Sequence, residues 1–399
     1  MKTRIKENKI VLTVPLWMDL SSSIFYLAAP LAVIEMGGTP VELGLIGTLT
    51  AFFHMTFAHL GGRLSDRFGR RALIVAGPLI FSVCCFIMTG VAAVKGVLIL
   101  AAVNGFGFAL FWPSFQAWIA DLQTGRGLAR SIGTFNLSWT AGNLIGPAAA
   151  GVLFGLHSRV PFLLSGVLSL SLFFFLRSHV GERQPPVKKG AEPAPAAAGE
   201  PNGQMSFLYA IWVANFTSWF ILGNLRYQFP KLARDLGWAP HTIGLLMSCL
   251  GLALFLGFFV LRRDERWHFN RVYLLGSQLM AVLALAVLLV ASHPLLVIPA
   301  FILIGLGISL SYYSSLYYVV LLLKKKGKGT GLHESILGSG VVLGPLLGGV
   351  AAQSVGLRAP YLLCMVLVAA AVLVEMGFTR RKAGSEPVNP SGIGRVGPV

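Results

Sequence analysis

Four side chains that can hold a charge or a proton stand where charge is expensive. Asp19, His54, Arg226 and Glu334 all fall within long apolar stretches of a 399-residue chain. An ionised side chain at the centre of a bilayer-length helix costs about 2.5–3.5 kcal/mol on insertion scales, so each needs a cavity or a partner. Asp19 lies near the middle of the first stretch, ahead of Ser21, Ser22, Ser23 and Tyr26. Its carboxyl group can exchange a proton or balance a cationic solute. The alternative is a structural carboxylate satisfied by nearby hydroxyls or an amide. His54, in the second stretch, either carries a proton or packs as a neutral ring. Arg226 stands near the outer end of the seventh, beside Asn224 and Tyr227. It binds an anionic group, pairs across a gate, or snorkels to the interface. Glu334 opens the eleventh stretch after His333. It either takes part in ion coupling or complements the dipole of a helix start.

The elements that must position these groups follow from hydropathy. Apolar residues make up 55% of the chain and charged residues 12%, against about 25% charged in soluble domains. Mean hydropathy is +0.74, so the chain is expected to be an all-α integral membrane protein. Runs long enough to span the hydrocarbon are expected at 11–34, 41–60, 72–94, 97–119, 131–156 and 161–176. Six more follow at 207–229, 242–261, 272–291, 295–323, 331–355 and 361–378. The division is therefore a six-span unit (1–180), a linker rich in Pro, Ala, Gly and Lys (181–205), a second six-span unit (206–382) and a disordered Gly/Pro-rich tail (383–399). The basic N-terminus and first run resemble a signal peptide, but the run is too long and holds Asp19, so it is read as a retained helix.

The net charge of +17 raises the possibility of nucleic acid. The basic residues instead occupy short connections between spans, which excludes a basic recognition stripe. With both termini and the linker inside, all but six of the 32 Lys and Arg fall on the inner side. The six are Lys95, Arg159, Arg226, Lys231, Arg234 and Arg358. This bias predicts cytoplasmic termini in a plasma (inner) membrane. Cys84, Cys85, Cys249 and Cys364 lie in apolar runs without metal-ligand spacing, so no metal or cofactor is expected. No nucleophile–base pair points to an enzyme.

The two halves repeat. Gly142, Gly146, Pro147 and Gly151 of the fifth span recur 198 positions later as Gly340, Gly344, Pro345 and Gly349 of the eleventh. Small residues four apart let helices approach closely, and proline adds a bend. Close packing is the first reading, and a part in rocking the halves is the second. A further signature lies between the second and third spans: Gly62, Asp66, Arg67, Gly69, Arg70 and Arg71, in what is expected to be a short surface loop. At the same offset Asp66 maps to Asp264, in a basic loop that has lost the glycines.

This order and position resemble the loop signature of the major facilitator superfamily, and the resemblance covers nearly the whole chain. It implies twelve transmembrane helices in two pseudo-symmetric six-helix bundles, with substrate held near the midplane between them. The Gly-Pro motif is similar to one in the fifth helix of many exporters of that family, and an acid in the first helix is found in several proton-coupled ones. One departure stands out: the arginine that such exporters carry in the fourth helix is absent, the residues here being Ala101 to Gly105. The resemblance also implies a cavity wall. From the first half it takes Tyr26, Asn104, Trp112, Gln116, Asn136 and Trp139. From the second it takes Asn215, Trp219, Tyr312, Tyr313 and Tyr317. Aromatic and amide walls suit an amphipathic organic solute.

The expected activity is secondary transport, first as proton-coupled efflux of an amphipathic compound. Uptake of a small metabolite by symport or uniport is the alternative. A transporter-like sensor or assembly subunit is the reading from another class. The expected partners are a small organic substrate, protons and the lipid bilayer, with the chain acting as a monomer. Asp66 is expected to dock at the start of the eleventh helix in one state, so Asp66→Ala should slow turnover while substrate affinity stays within a few-fold. Full turnover in proteoliposomes would remove that role.

Overall fold

The computed structural model describes residues 2–122, 126–180, 202–264, 266–323 and 326–380. Among them are twelve helices and no strand. The first half contains α1 (Lys2–Glu35), α2 (Pro40–Phe68), α3 (Arg70–Met88), α4 (Val94–Leu122), α5 (Arg126–Leu156) and α6 (Val160–His179). The second contains α7 (Asn202–Asp235), α8 (Pro240–Leu261), α9 (Arg271–Val290), α10 (Pro294–Leu322), α11 (Lys326–Ser354) and α12 (Ala359–Arg380). All twelve are long and apolar enough to cross a membrane. The linker at 181–201 and the tail from 383 lie outside the described residues.

Each half packs in the same way. α5 lies against α1 and α4 against α2 and α3, while α11 lies against α7 and α10 against α8 and α9. The halves meet along two seams, α5 on α8 and α2 on α11, which exchange under the pseudo-twofold that relates the bundles. α1 and α7 are the most enclosed spans, with 67% of the apolar window buried, whereas α12 has 28%. Around the outside, Ile99, Val167, Leu279 and Leu373 are exposed. Apolar side chains belong there when the surrounding solvent is lipid.

The helix ends explain the connections. Thr39 and Glu42 form a reciprocal capping box at the start of α2, with Pro40 at the first helical position, where its missing N–H leaves nothing unpaired. The α2–α3 connection is tighter than a surface loop. α2 runs through most of the signature and only Gly69 separates it from α3. Gly69 has φ +89, a left-handed conformation that a residue without Cβ adopts at no steric cost. Arg70 Nε then sits 3.0 Å from Asp121 Oδ2 of α4 and its Nη1 donates to Ser65 Oγ at 3.2 Å. Arg71 Nη2 donates to the Arg177 carbonyl of α6 at 2.6 Å. Arg67 is exposed against Phe68, and Gly62 stands in open space. The Asp66 side chain lies outside what is described, as do Lys324 and Lys325. We call the end bearing the α2–α3 and α8–α9 connections the basic end.

In the second half the equivalent connection is a plug of aromatics. Trp267 is buried with its Nε1 donating to the Leu261 carbonyl at 3.0 Å. Tyr318 Oη accepts from the Phe269 backbone N–H at 2.7 Å. Glu375 of α12 is fully buried, accepting from Gln278 Nε2 of α9 at 2.8 Å.

The paired Gly-Pro motifs set the helix spacing. A Cβ on Gly142 would lie 2.6 Å from Leu20 N of α1, and one on Gly146 2.5 Å from Ser23 Cβ. Gly340 and Gly344 make the same approach to Phe216 and Phe220 of α7. The last glycine of each motif faces the other half, Gly151 against Pro240 and Gly244 of α8, Gly349 against Pro40 and Val41 of α2. These seams lie away from the basic end. A side chain at Gly151 meets backbone that cannot yield. Gly151→Leu should therefore destabilise this closed arrangement by about 1–3 kcal/mol, as overpacking does, read as a lower thermal unfolding midpoint. An unchanged midpoint would mean that α5 and α8 part freely.

Candidate functional site

Between the halves lies a cavity of about 420 Å³. Its wall comes from α1, α2, α4 and α5 on one side and from α7, α10 and α11 on the other. Toward the basic end it is lined by Ala58, His59, Gly331, Glu334 and Ser335. Toward the opposite end the seams close it. Besides the glycine contacts, Gln228 Nε2 of α7 donates to the Pro40 carbonyl at 3.0 Å and Thr48 Oγ1 of α2 to the Val342 carbonyl at 3.0 Å. The Ala148 backbone N–H of α5 donates to Ser248 Oγ of α8 at 3.0 Å.

At the blind end of the cavity stands Asp19, 7% exposed. Its Oδ2 accepts from Ser23 Oγ at 3.2 Å and from Asn143 Nδ2 of α5 at 2.7 Å. The amide then turns its Oδ1 to Arg226 Nη2 of α7, which donates at 2.9 Å. The guanidinium also lies 5.2 Å from the centre of the Tyr26 ring, within reach of a cation–π contact. A carboxylate accepts and a guanidinium only donates, so an amide is the neutral group that satisfies both at once. The chain runs from α1 through α5 to α7 and so crosses from one half to the other.

Arg226 thus lies within the bundle, not at an interface. α7 continues to Asp235, well past the end expected from hydropathy, and this removes Arg226 from the six basic residues assigned to the outer side. His54 is half-buried on the wall. Glu334 is exposed into the cavity near its basic end. Behind it His333 is buried, with Nδ1 2.6 Å from Ser315 Oγ.

Of the expected wall residues, Tyr26, Trp112, Gln116, Trp139, Trp219 and Tyr312 line the cavity. Trp139, Trp219 and Tyr312 form one aromatic surface, with ring centres 6.1 Å and 5.8 Å apart. Five expected wall residues lie elsewhere. Asn104 and Asn215 are 1% and 0% exposed and absent from the lining. Asn136 is buried and accepts from Trp139 Nε1 at 3.2 Å, holding that ring in place. Tyr313 and Tyr317 point instead to the Trp267 plug. Asn143 is the residue that sequence reasoning passed over. It sits inside the Gly142–Gly146 packing motif, and the signal was its counterpart Val341, since a packing position needs no amide.

Known proteins place this architecture. The profile of the Major Facilitator Superfamily matches residues 16–222 and 211–395. The chain belongs to the major facilitator superfamily. This facilitator is 26% identical over 326 residues to multidrug resistance protein 1 of Bacillus subtilis (strain 168), covering 77% of this chain and 82% of that protein. It is 23% identical over 356 residues to the quinolone resistance protein NorA of Staphylococcus aureus (strain COL), covering 86% and 89%. Its fold is similar to that of a bacterial homologue of the human lysosomal transporter Spinster in an inward-facing, unoccupied conformation. The TM-score is 0.75 at 14% identity over 94% of this chain and 96% of that one. It is also similar to the nucleoside transporter NupG, with a TM-score of 0.66 at 14% identity, covering 95% and 99%. The facilitator is thus a membrane transporter and not an enzyme.

Aromatic pairs contribute about 0.5–1.5 kcal/mol beyond the area they bury. Tyr312→Ala should therefore weaken binding of a planar aromatic cation roughly 3- to 10-fold, measured by quenching of the wall tryptophans. Unchanged affinity would place the ligand elsewhere.

Proposed function

We propose that this facilitator exports an amphipathic organic cation or zwitterion in exchange for protons. The observation that carries the reading is the Asp19–Asn143–Arg226 chain at the blind end of an aromatic cavity. Across the cavity stands a second carboxylate, Glu334, so the wall carries two acids and one arginine. Such a surface favours a solute with a flat apolar body and a positive group. The likeness to bacterial multidrug and quinolone resistance proteins supports an export role.

The excess of Lys and Arg at the basic end makes that end, both termini and the 181–205 linker cytoplasmic in the plasma (inner) membrane. The cavity then faces the cytoplasm. The monomer's two units, 1–180 and 206–382, rock about it. A cation enters from the cytoplasm and is balanced by ionised Asp19. After the halves tilt, a proton from outside takes the carboxylate and the cation leaves. The proton is given up inside when the cavity returns, so one charge is exchanged for another and the cycle runs on the proton gradient.

Proteoliposomes with an imposed pH gradient test this directly. The wild type should move a planar cationic dye against its concentration gradient, and Asp19→Asn should lose that uphill movement by at least about tenfold while downhill exchange persists. Unchanged pH dependence in Asp19→Asn would remove the coupling role. Accumulation in the opposite direction would favour uptake, and dye binding without flux would favour a sensor.

A further inference from the structure

We infer that Asn143 is the positioning residue that converts neutralisation of Asp19, by a proton or by the bound cation, into release of the two halves at the end away from the basic one. The inference rests on the proton-exchange reading above and adds the part that transmits it.

The geometry is specific. The Asn143 side chain joins Asp19 on α1 to Arg226 on α7. Its backbone carbonyl meets α8, where a Cβ on Gly251 would lie 2.6 Å away. One residue of α5 therefore touches three helices, two of them in the other half, beside the α5–α8 seam. Beyond it lies a small void of about 20 Å³ bounded by Ser23, Leu27, Pro147, Leu222, Met247 and Leu250.

The orientation of the amide is forced by its partners. Arg226 only donates, so Oδ1 must face it. Ionised Asp19 only accepts, so Nδ2 must face that. A proton on Asp19 makes the carboxyl a donor. The other carboxyl oxygen still accepts from Nδ2, and Oδ1 has two lone pairs, so the amide need not turn. What is lost is the charge: the Asp19–Asn143 bond becomes a neutral one, the anion that polarises the amide toward Arg226 is gone, and the polar link between the halves weakens. Hydrogen bonds to charged groups contribute more than neutral ones, so the link is the stronger part of this seam while Asp19 is ionised.

The other ionisable groups near Asp19 bear on this in defined ways. Tyr26 on α1 and Tyr227 on α7 flank Arg226. Neither is placed on the Asn143 amide by a hydrogen bond in the structure. His54 on α2 and Glu334 on α11 face the same cavity from nearer the basic end. They can change the local potential, but they do not bridge α5 to α7.

Spin labels at Leu156 (end of α5) and His241 (start of α8), both exposed, report the seam as a distance distribution in nanodiscs without substrate. In the otherwise wild-type chain, acidification should shift population from the short to the long distance. Asn143→Ala should lose the shift and hold the long distance at both alkaline and mildly acidic pH. Asp19→Asn should do the same, and the double variant should add nothing. Should Asn143→Ala fail to fold, Arg226→Met, which has no donor, breaks the same bond from the other side and should give the same loss. A wild-type chain with no pH shift, or an Asn143→Ala or Arg226→Met chain that keeps it, overturns the inference. Because no substrate is present, failure of the export reading shows in the liposome assay while this measurement stands by itself.

Discussion

A carboxylate enclosed between two helical bundles cannot be left to one of them. Asp19 is nearly out of contact with solvent, and its own helix offers it a single serine hydroxyl at 3.2 Å. The remaining stabilisation comes from an amide on α5 and, through it, from a cation on the opposite half. Removing a charge from water costs several kcal/mol even after relaxation. The packing of α1, α5 and α7 is therefore arranged around that charge. The glycines of α5 matter for the same reason: a side chain at Gly142 would collide with the Asp19 backbone and Cβ. The amide could then not come within 2.7 Å of the carboxylate.

The two halves share a scaffold but divide the chemistry. At the 198-residue offset the glycines and prolines coincide, so both seams use the same close approach. The polar groups do not coincide. Asp19 corresponds to Thr217, Asn143 to Val341 and Arg226 to Ala28. One seam is thus closed by backbone and small side chains together with a charged link, and the other by glycine contacts with Gln228 and Thr48. A duplicated fold with unlike seams can respond to a proton on one side of its axis while the other acts as a hinge.

Much of this was legible in the sequence because it rests on strong, local signals. Twelve apolar runs, the basic connections and the repeated Gly-Pro motif follow from the cost of polar backbone in lipid and from small-residue packing. What was not legible depends on rotation about a helix axis. Asn104, Asn215 and Tyr317 have the right type and depth for a wall, but hydropathy does not say which face of an all-apolar helix turns inward. Helix ends misled for a related reason: α7 and α2 continue past the point where apolar residues stop. Arg226 therefore falls inside the bundle, and the signature glycine becomes a one-residue turn. Asn143 was hidden by its neighbours, since a motif explained by packing discourages a second question about the residue between its glycines.

The position of Arg226 has one more consequence. A guanidinium held by an amide and an aromatic ring is adequately satisfied while the seam is shut, because both partners lie within the enclosed region. Once the halves part at that end, water can reach it and replace the amide, so losing the link does not strand a bare charge. The same water reaches Asp19, which in the proposed exchange is then balanced by the cation or by a proton. Only the shut seam with ionised, unliganded Asp19 needs the amide link in full. An open seam with an ionised acid and no partner is the costly combination, whereas a proton or a bound cation neutralises Asp19 and leaves the seam free to open or close. Exchange of one for the other follows from that difference.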